Sequence, residues 1–152
     1  MRLANRLARG IFTRLNRVRL ALRKATGVGR PGVHALPLTP EGRIVLVRLN
    51  YAPGWRVPGG GRKRGEAPDQ AILRELREEI GLVSHGAVER LEDERSGSDG
   101  AGGGSAFFVV RDIVYRPRWS LEVAKVGEFD PGDLPEDTAE WTVHLVERFG
   151  GR

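Results

Sequence analysis

Residues 60–82 read GGRKRGEAPDQAILRELREEIGL, and how this stretch is understood decides how the rest of the chain is taken. Ala71, Ile72, Leu76 and Ile80 recur every three or four residues, the period of a helix with one apolar stripe. Pro68 suits the first turn, where its missing N–H has no partner to lose, and Gly81 falls where helices end. Ala67 takes the N-cap without offering a side-chain oxygen, while Glu66 and Asp69 complement the positive helix start. Glu75, Glu78 and Glu79 occupy i, i+3 and i+4 and so share one face. Ionised neighbours at that spacing repel, and a hard cation such as Mg²⁺, which selects carboxylate oxygen, removes the repulsion. A charged, purely structural helix is the plainer alternative. Just ahead, Pro58-Gly59-Gly60-Gly61 reads as a loop whose bare backbone lets a ligand come close.

The spacing resembles the Nudix hydrolase signature, G-x5-E-x7-R-E-U-x-E-E-x-G-U with U apolar. Gly60, Glu66, Arg74, Glu75, Leu76, Glu78, Glu79, Gly81 and Leu82 fill every specified position. A chance match at one starting point is roughly 10⁻⁸ to 10⁻⁹, which favours the motif over a solvated charged face. The resemblance implies an α/β fold, an α/β/α sandwich with a mixed β-sheet in which the motif forms loop, helix and loop. It also implies hydrolysis of a nucleoside diphosphate linked to another group, with Mg²⁺ or Mn²⁺. Carried over by position, Glu75, Glu78 and Glu79 look like metal ligands, with the Gly60 carbonyl as a further one and Glu79 the least replaceable. Arg74 resembles the residue that orients a ligand carboxylate, and Glu66 the loop glutamate that braces it. The general base varies across the family; Glu78 inside the motif and Glu94, Asp99 and Glu122 outside it are all candidates. Many members carry an acid three residues before the loop glutamate. Here Lys63 stands there, within Arg62-Lys63-Arg64, either a solvated loop tip or an electrostatic lure for a polyphosphate.

A chain of 152 residues fits one domain with a proper core. No apolar run approaches the ~18 residues needed to span a bilayer. The absence of cysteine rules out disulfides and thiolate metal sites and is compatible with a reducing cytoplasm. The net charge of +5 averages two unlike parts: residues 1–30 hold nine basic residues and no acid, whereas the remaining 122 hold 16 basic and 20 acidic residues. In the first part Leu3, Leu7, Ile11, Leu15, Val18 and Leu22 follow a helical period, giving a basic amphipathic N-terminal helix. It reads as a helix packed on the domain or on a second copy in a homodimer, as a contact for an anionic membrane or for RNA, or as a targeting peptide. Glycines between Gly27 and Gly32 mark the boundary, leaving residues 31–152 as the catalytic domain.

Elsewhere, Val33–Leu38, Arg43–Leu49, Trp55–Val57, Ala87–Glu94, Ala106–Tyr115 and Val126–Phe129 read as strands, and Thr138–Phe149 as a closing helix capped by Thr138 or Asp137. Arg48 reads as a rim ion pair or a phosphate contact. It joins Tyr51, Arg62, Lys63 and Arg64 as candidate substrate-binding residues. Tyr51, Trp55, Phe107 and Trp119 could stack on a base, or be core and rim aromatics. The glycine-rich run SGSDGAGGGS (96–105) is a hairpin tip or a loop over substrate. The window 15–18 residues after the motif lacks the proline or tyrosine of the subfamilies acting on ADP-ribose or diadenosine polyphosphates. What remains is a pyrophosphohydrolase of nucleoside triphosphates or similar small nucleotides. A non-catalytic nucleotide-sensing or RNA-binding module is the competing reading.

Overall fold

A computed structural model describes residues 32–91 and 104–151. The basic segment 1–30, Glu94, Asp99 and nearly all of the glycine-rich run lie outside them. The order is β1 (Gly32–Pro37), β2 (Ile44–Leu49), β3 (Ala52–Arg56), β4 (Gly59–Gly61), α1 (Pro68–Glu79), β5 (Leu82–Ser84), β6 (Val88–Leu91), β7 (Ala106–Val110), β8 (Val114–Tyr115), β9 (Val123–Phe129) and α2 (Glu140–Phe149). One four-stranded sheet runs β4-β1-β7-β6, with β1 and β7 parallel and the other pairs antiparallel; β3-β2-β9 and β5-β8 are antiparallel. Among the described residues no helix is long and apolar enough to cross a membrane.

The central strands are apolar on both faces, and their alternation assigns each residue to one of two cores. Val33 and Ala35 of β1, Val45 and Val47 of β2, and Ala106, Phe108 and Val110 of β7 pack with Ala71, Ile72, Leu76 and Ile80 on the α1 side. Leu36, Ile44, Leu46, Phe107 and Val109 pack with Leu145 and Val146 on the α2 side. Sheet between two helical layers is therefore the observed architecture. Each large side chain taken fully out of water here contributes about 1.5–3 kcal/mol.

Three local expectations change. The Pro58–Gly61 loop is in part a strand: β4 pairs with β1, Val33 opposite Gly60 and His34 opposite Gly59. A side chain on Gly59 would strike the Val33 carbonyl and the His34 ring, so only glycine allows this approach. The run Ala106–Tyr115 is broken at Asp112, whose φ of 51° turns the chain and splits it into β7 and β8. The closing helix is capped at Ala139 with no side-chain hydrogen bond, because the Thr138 hydroxyl donates to the Pro135 carbonyl at 2.7 Å instead.

Candidate active site

The start of α1 and the strand β4 set the site. Ala67 is the N-cap and Pro68 opens the helix, as its sequence requires. At the other end Gly81 has φ +72°, and its carbonyl accepts the Arg116 N–H at 2.8 Å. Between them the apolar stripe seats α1 on the sheet and turns Glu75 and Glu79 inward, 4% and 5% exposed. Glu78 shares the helix but not the burial: its side chain is 56% exposed. The three carboxylates thus form two buried groups and one at the rim.

Arg74 holds the arrangement together. Its Nε and Nη2 donate to the two oxygens of Glu66 at 2.7 and 3.0 Å. Its Nη2 also donates to the Gly61 carbonyl at 2.9 Å and its Nη1 to Glu75 Oε1 at 2.9 Å. Glu78 stands 3.4 Å from Nη1. A planar guanidinium can serve these directions at once; an ammonium cannot. The Arg74 hydrogen bonds, aided by the Lys63 N–H at 2.8 Å, hold the Glu66 carboxyl well below its ordinary range, at about 2. The same pairing with Glu66 raises Arg74 further.

Glu79 is in the opposite situation. Burial pushes its carboxyl up to about 8; the Gly59 N–H, donating at 2.9 Å, opposes this, and the charges of Glu75, Glu122 and Glu78 add to it. A buried carboxylate beside three like charges is a place that a hard cation stabilises. Gly60 supplies the cradle: a Cβ there would lie 2.6 Å from the Glu75 carboxylate. The donors are all oxygen, which suits Mg²⁺ or Mn²⁺ in kind. Among the described residues no three His, Cys, Asp or Glu side chains already close on one point, since Arg74 draws Glu75 to itself and Glu78 faces outward.

Other candidates fall elsewhere. By alternation Arg48 shares the α2 side with Ile44 and Leu46; it pairs with Asp137 and lies 5.4 Å from the Trp55 ring centroid. It is the rim ion pair, on the face away from Glu75 and Glu79. Arg62 donates twice to the Glu66 carbonyl, at 3.1 and 2.9 Å, and so braces the loop, whereas Lys63 and Arg64 are exposed. Phe107 is a core residue, stacked on His34 at 5.6 Å, and Trp55 packs edge-on against Phe129 at 4.8 Å. Tyr51 sits in the β2–β3 turn, 39% exposed. Of the base candidates outside the motif, Glu122 is brought to Glu79, while Glu94 and Asp99 lie outside the described residues. The Gly59 N–H to Glu79 was missed by sequence reasoning, because a backbone donor leaves no residue-type signal.

Fold and site together define an α/β/α domain that buries two carboxylates against a glycine strand, one braced by an arginine and the other by a backbone N–H of that strand. A family model for the NUDIX domain matches residues 28–149, and the chain belongs to the Nudix family. It is 40% identical over 66 residues to an RNA pyrophosphohydrolase from Hahella chejuensis (strain KCTC 2396), a match that covers 43% of this chain and 40% of that protein. A second RNA pyrophosphohydrolase, from Hydrogenovibrio crunogenus (strain DSM 25203 / XCL-2), is 40% identical over 53 residues, 35% of this chain and 32% of its own length. The chain thus spans two fifths or less of these relatives. A MutT NUDIX hydrolase from Burkholderia pseudomallei superposes with a TM-score of 0.65 at 24% identity, over 80% of this chain and 98% of that one. A bifunctional NMN adenylyltransferase/ADP ribose pyrophosphatase from Francisella tularensis, complexed with AMP and a manganese ion, gives 0.60 at 20% identity over 79% and 42%. At such identities the likeness concerns the fold.

Proposed function

We propose that the chain is a divalent-metal-dependent pyrophosphohydrolase that cleaves a nucleoside diphosphate linked to another group by attack of water on phosphorus. A nucleoside triphosphate or a 5′-triphosphate end is the substrate class. The observation that carries this is the buried pair Glu75 and Glu79 beside the Gly60 backbone, with the Arg74–Glu66 brace behind it. The local identity to two RNA pyrophosphohydrolases supports the same chemistry.

Glu75, Glu78, Glu79 and the Gly60 carbonyl are the groups that would hold Mg²⁺ or Mn²⁺. When bound, the metal neutralises polyphosphate charge and lowers the pKa of an attacking water. Arg74 holds one oxygen of the Glu75 carboxylate by a 2.9 Å hydrogen bond and so limits where that side chain can go. Lys63 and Arg64 steer the polyphosphate inward from an exposed loop. Glu122 takes the proton from water in this reading; its backbone is held at both groups, the N–H by Ser120 Oγ at 3.2 Å and the carbonyl by the Asn50 N–H at 2.9 Å.

A phosphate- and pyrophosphate-release assay over a panel of nucleotides and triphosphorylated oligonucleotides with Mg²⁺, beside Glu79→Gln, tests this. Turnover by the wild type and its loss in the variant are expected. A wild type inert across the panel, or a variant equal to it, leaves the non-catalytic module as the answer.

A further inference from the structure

The segment Arg116–Leu121 leads from β8 towards β9, and the catalytic reading uses only its Ser120, as a tie for the Glu122 backbone. Its first residue is tied to the end of the motif helix by the Arg116 N–H to the Gly81 carbonyl, 2.8 Å. Its far end is tied as firmly: Asn50 Nδ2 donates to the Leu121 carbonyl at 2.8 Å, and Ser120 Oγ accepts the N–H groups of Glu122 and Val123 at 3.2 Å each. Pro117 removes a further degree of freedom between these ties. The segment is thus a held ridge, and at its crest Trp119 is 85% exposed, with Leu121 at 47% beside it. Exposing an indole in this way costs apolar burial, and no fold requirement of the described residues explains it.

Within the segment the charges are of one sign. Arg116 and Arg118 stand on either side of Pro117, directly ahead of Trp119, both exposed and neither in an ion pair among the described residues, and no acid occurs from Ile113 to Leu121. The ridge also abuts the carboxylate site, for Gly81 lies two residues beyond Glu79 and Glu122 three beyond Trp119. Three residues of extended chain reach at most about 11 Å. An outward aromatic ring beside two exposed cationic side chains is an arrangement that takes stacked bases and a phosphate backbone. A buried core aromatic or a solvated charged loop has one of these features without the other.

We propose that Arg116, Arg118, Trp119 and Leu121 form a track for single-stranded RNA, placing the nucleotides downstream of a 5′-terminal polyphosphate along the β8–β9 ridge. This rests on the pyrophosphohydrolase reading and narrows it: the preferred substrate is a polynucleotide end rather than a free nucleoside triphosphate. Trp119 supplies the stacking surface and the two arginines the phosphate contacts. It predicts a selectivity, not merely an affinity.

The test uses the full chain, with fluorescein-labelled single-stranded RNA bound at equilibrium without divalent cation, and turnover of 5′-triphosphorylated RNA compared with GTP and ATP. For Trp119→Ala the RNA Kd is expected to rise about tenfold or more, with loss of RNA-dependent quenching of tryptophan fluorescence. Trp119→Phe is expected to restore most of the binding. Arg116→Ser/Arg118→Ser should reduce the slope of log K against log salt by about 1.4, near 0.7 per phosphate contact. In turnover, kcat/KM for RNA should fall about tenfold more than for the nucleoside triphosphates. Variants that bind RNA as the wild type does, or that lose both substrates in equal proportion, overturn the track while the hydrolase reading stands. Preference of the ridge for phosphatidylglycerol vesicles over RNA, lost in Trp119→Ala, also overturns it. RNA binding through Trp119 by a chain that hydrolyses nothing would instead remove the hydrolase reading and the claimed selectivity with it.

Discussion

Gly60→Ala separates the site from the fold more sharply than removing a carboxylate does. Gly60 is not at positive φ, so the backbone accepts alanine without strain. The new methyl meets something specific, however: it would lie 2.6 Å from both Cδ and Oε1 of Glu75, and 2.8 Å from Oε2. Non-bonded atoms of this kind rest at about 3.5–4.0 Å, so the carboxylate must retreat by about 1 Å. The obstacle is the free end of a flexible side chain, and moving it is cheap in folding terms. Replacing glycine also removes chain entropy from the unfolded state, worth about 0.4–1 kcal/mol in favour of the variant. Stability by urea unfolding should therefore stay within about 1 kcal/mol of the wild type. Activity should not, because Glu75 is displaced from Arg74 Nη1, now at 2.9 Å, and a 1 Å error at a reacting centre costs on the order of 100-fold. The measurements are kcat on the best substrate of the panel and Mn²⁺ affinity by calorimetry, alongside the unfolding midpoint. Full kcat with unchanged metal affinity would refute the placement of Glu75. A loss of stability beyond about 3 kcal/mol would refute the claim that Gly60 serves the site alone.

Three further outcomes follow from the same geometry. Arg74→Lys keeps the charge but loses the fork to Glu66, Glu75 and Gly61, so unfolding in urea should show about 2–3 kcal/mol less stability, and kcat should drop at least about tenfold; an unmoved midpoint counts against the brace. The Glu66 carboxyl is lowered from 4.5 to about 2 in the folded state, so its contribution is fully present above the unfolded value and is lost as pH falls from there towards 2. Urea midpoints across that window should decline less steeply in Glu66→Gln than in the wild type, and identical slopes would show that the pair carries no linkage. Lys63→Ser/Arg64→Ser should raise KM with kcat nearly intact, whereas Arg62→Ser, which removes two hydrogen bonds to the Glu66 carbonyl, should lower kcat as well; the reverse pattern in steady-state kinetics would mean that the loop tip shapes the site.

Much of this was legible in the chain because it is local. Helix α1, its cap at Ala67, its stop at Gly81 and its buried stripe follow from period and turn chemistry within some twenty residues. Two faces of apolar residues on β1, β2 and β7 announce strands covered on both sides. Where the reading missed, non-local contacts intervened. Gly59–Gly61 joins the sheet by backbone alone, and glycine carries no strand signal. The break at Asp112 depends on a left-handed residue that is not glycine.

The sequence by itself determined the chemistry on offer: a complete motif with three carboxylates, an arginine and a glycine at fixed intervals, the carboxylates on one helix face because covalent spacing places them there whatever surrounds it. Only the tertiary structure decided which of them are buried together. Burial singled out Glu75 and Glu79 and left Glu78 at the rim. Strand alternation put Arg48 on the far side with Asp137, hydrogen bonding made Arg62 a brace, and two distant ties raised Trp119 on its ridge. The reason is physical: period and spacing are properties of a helix or strand alone, whereas solvent exclusion and charge pairing are set by what packs against it.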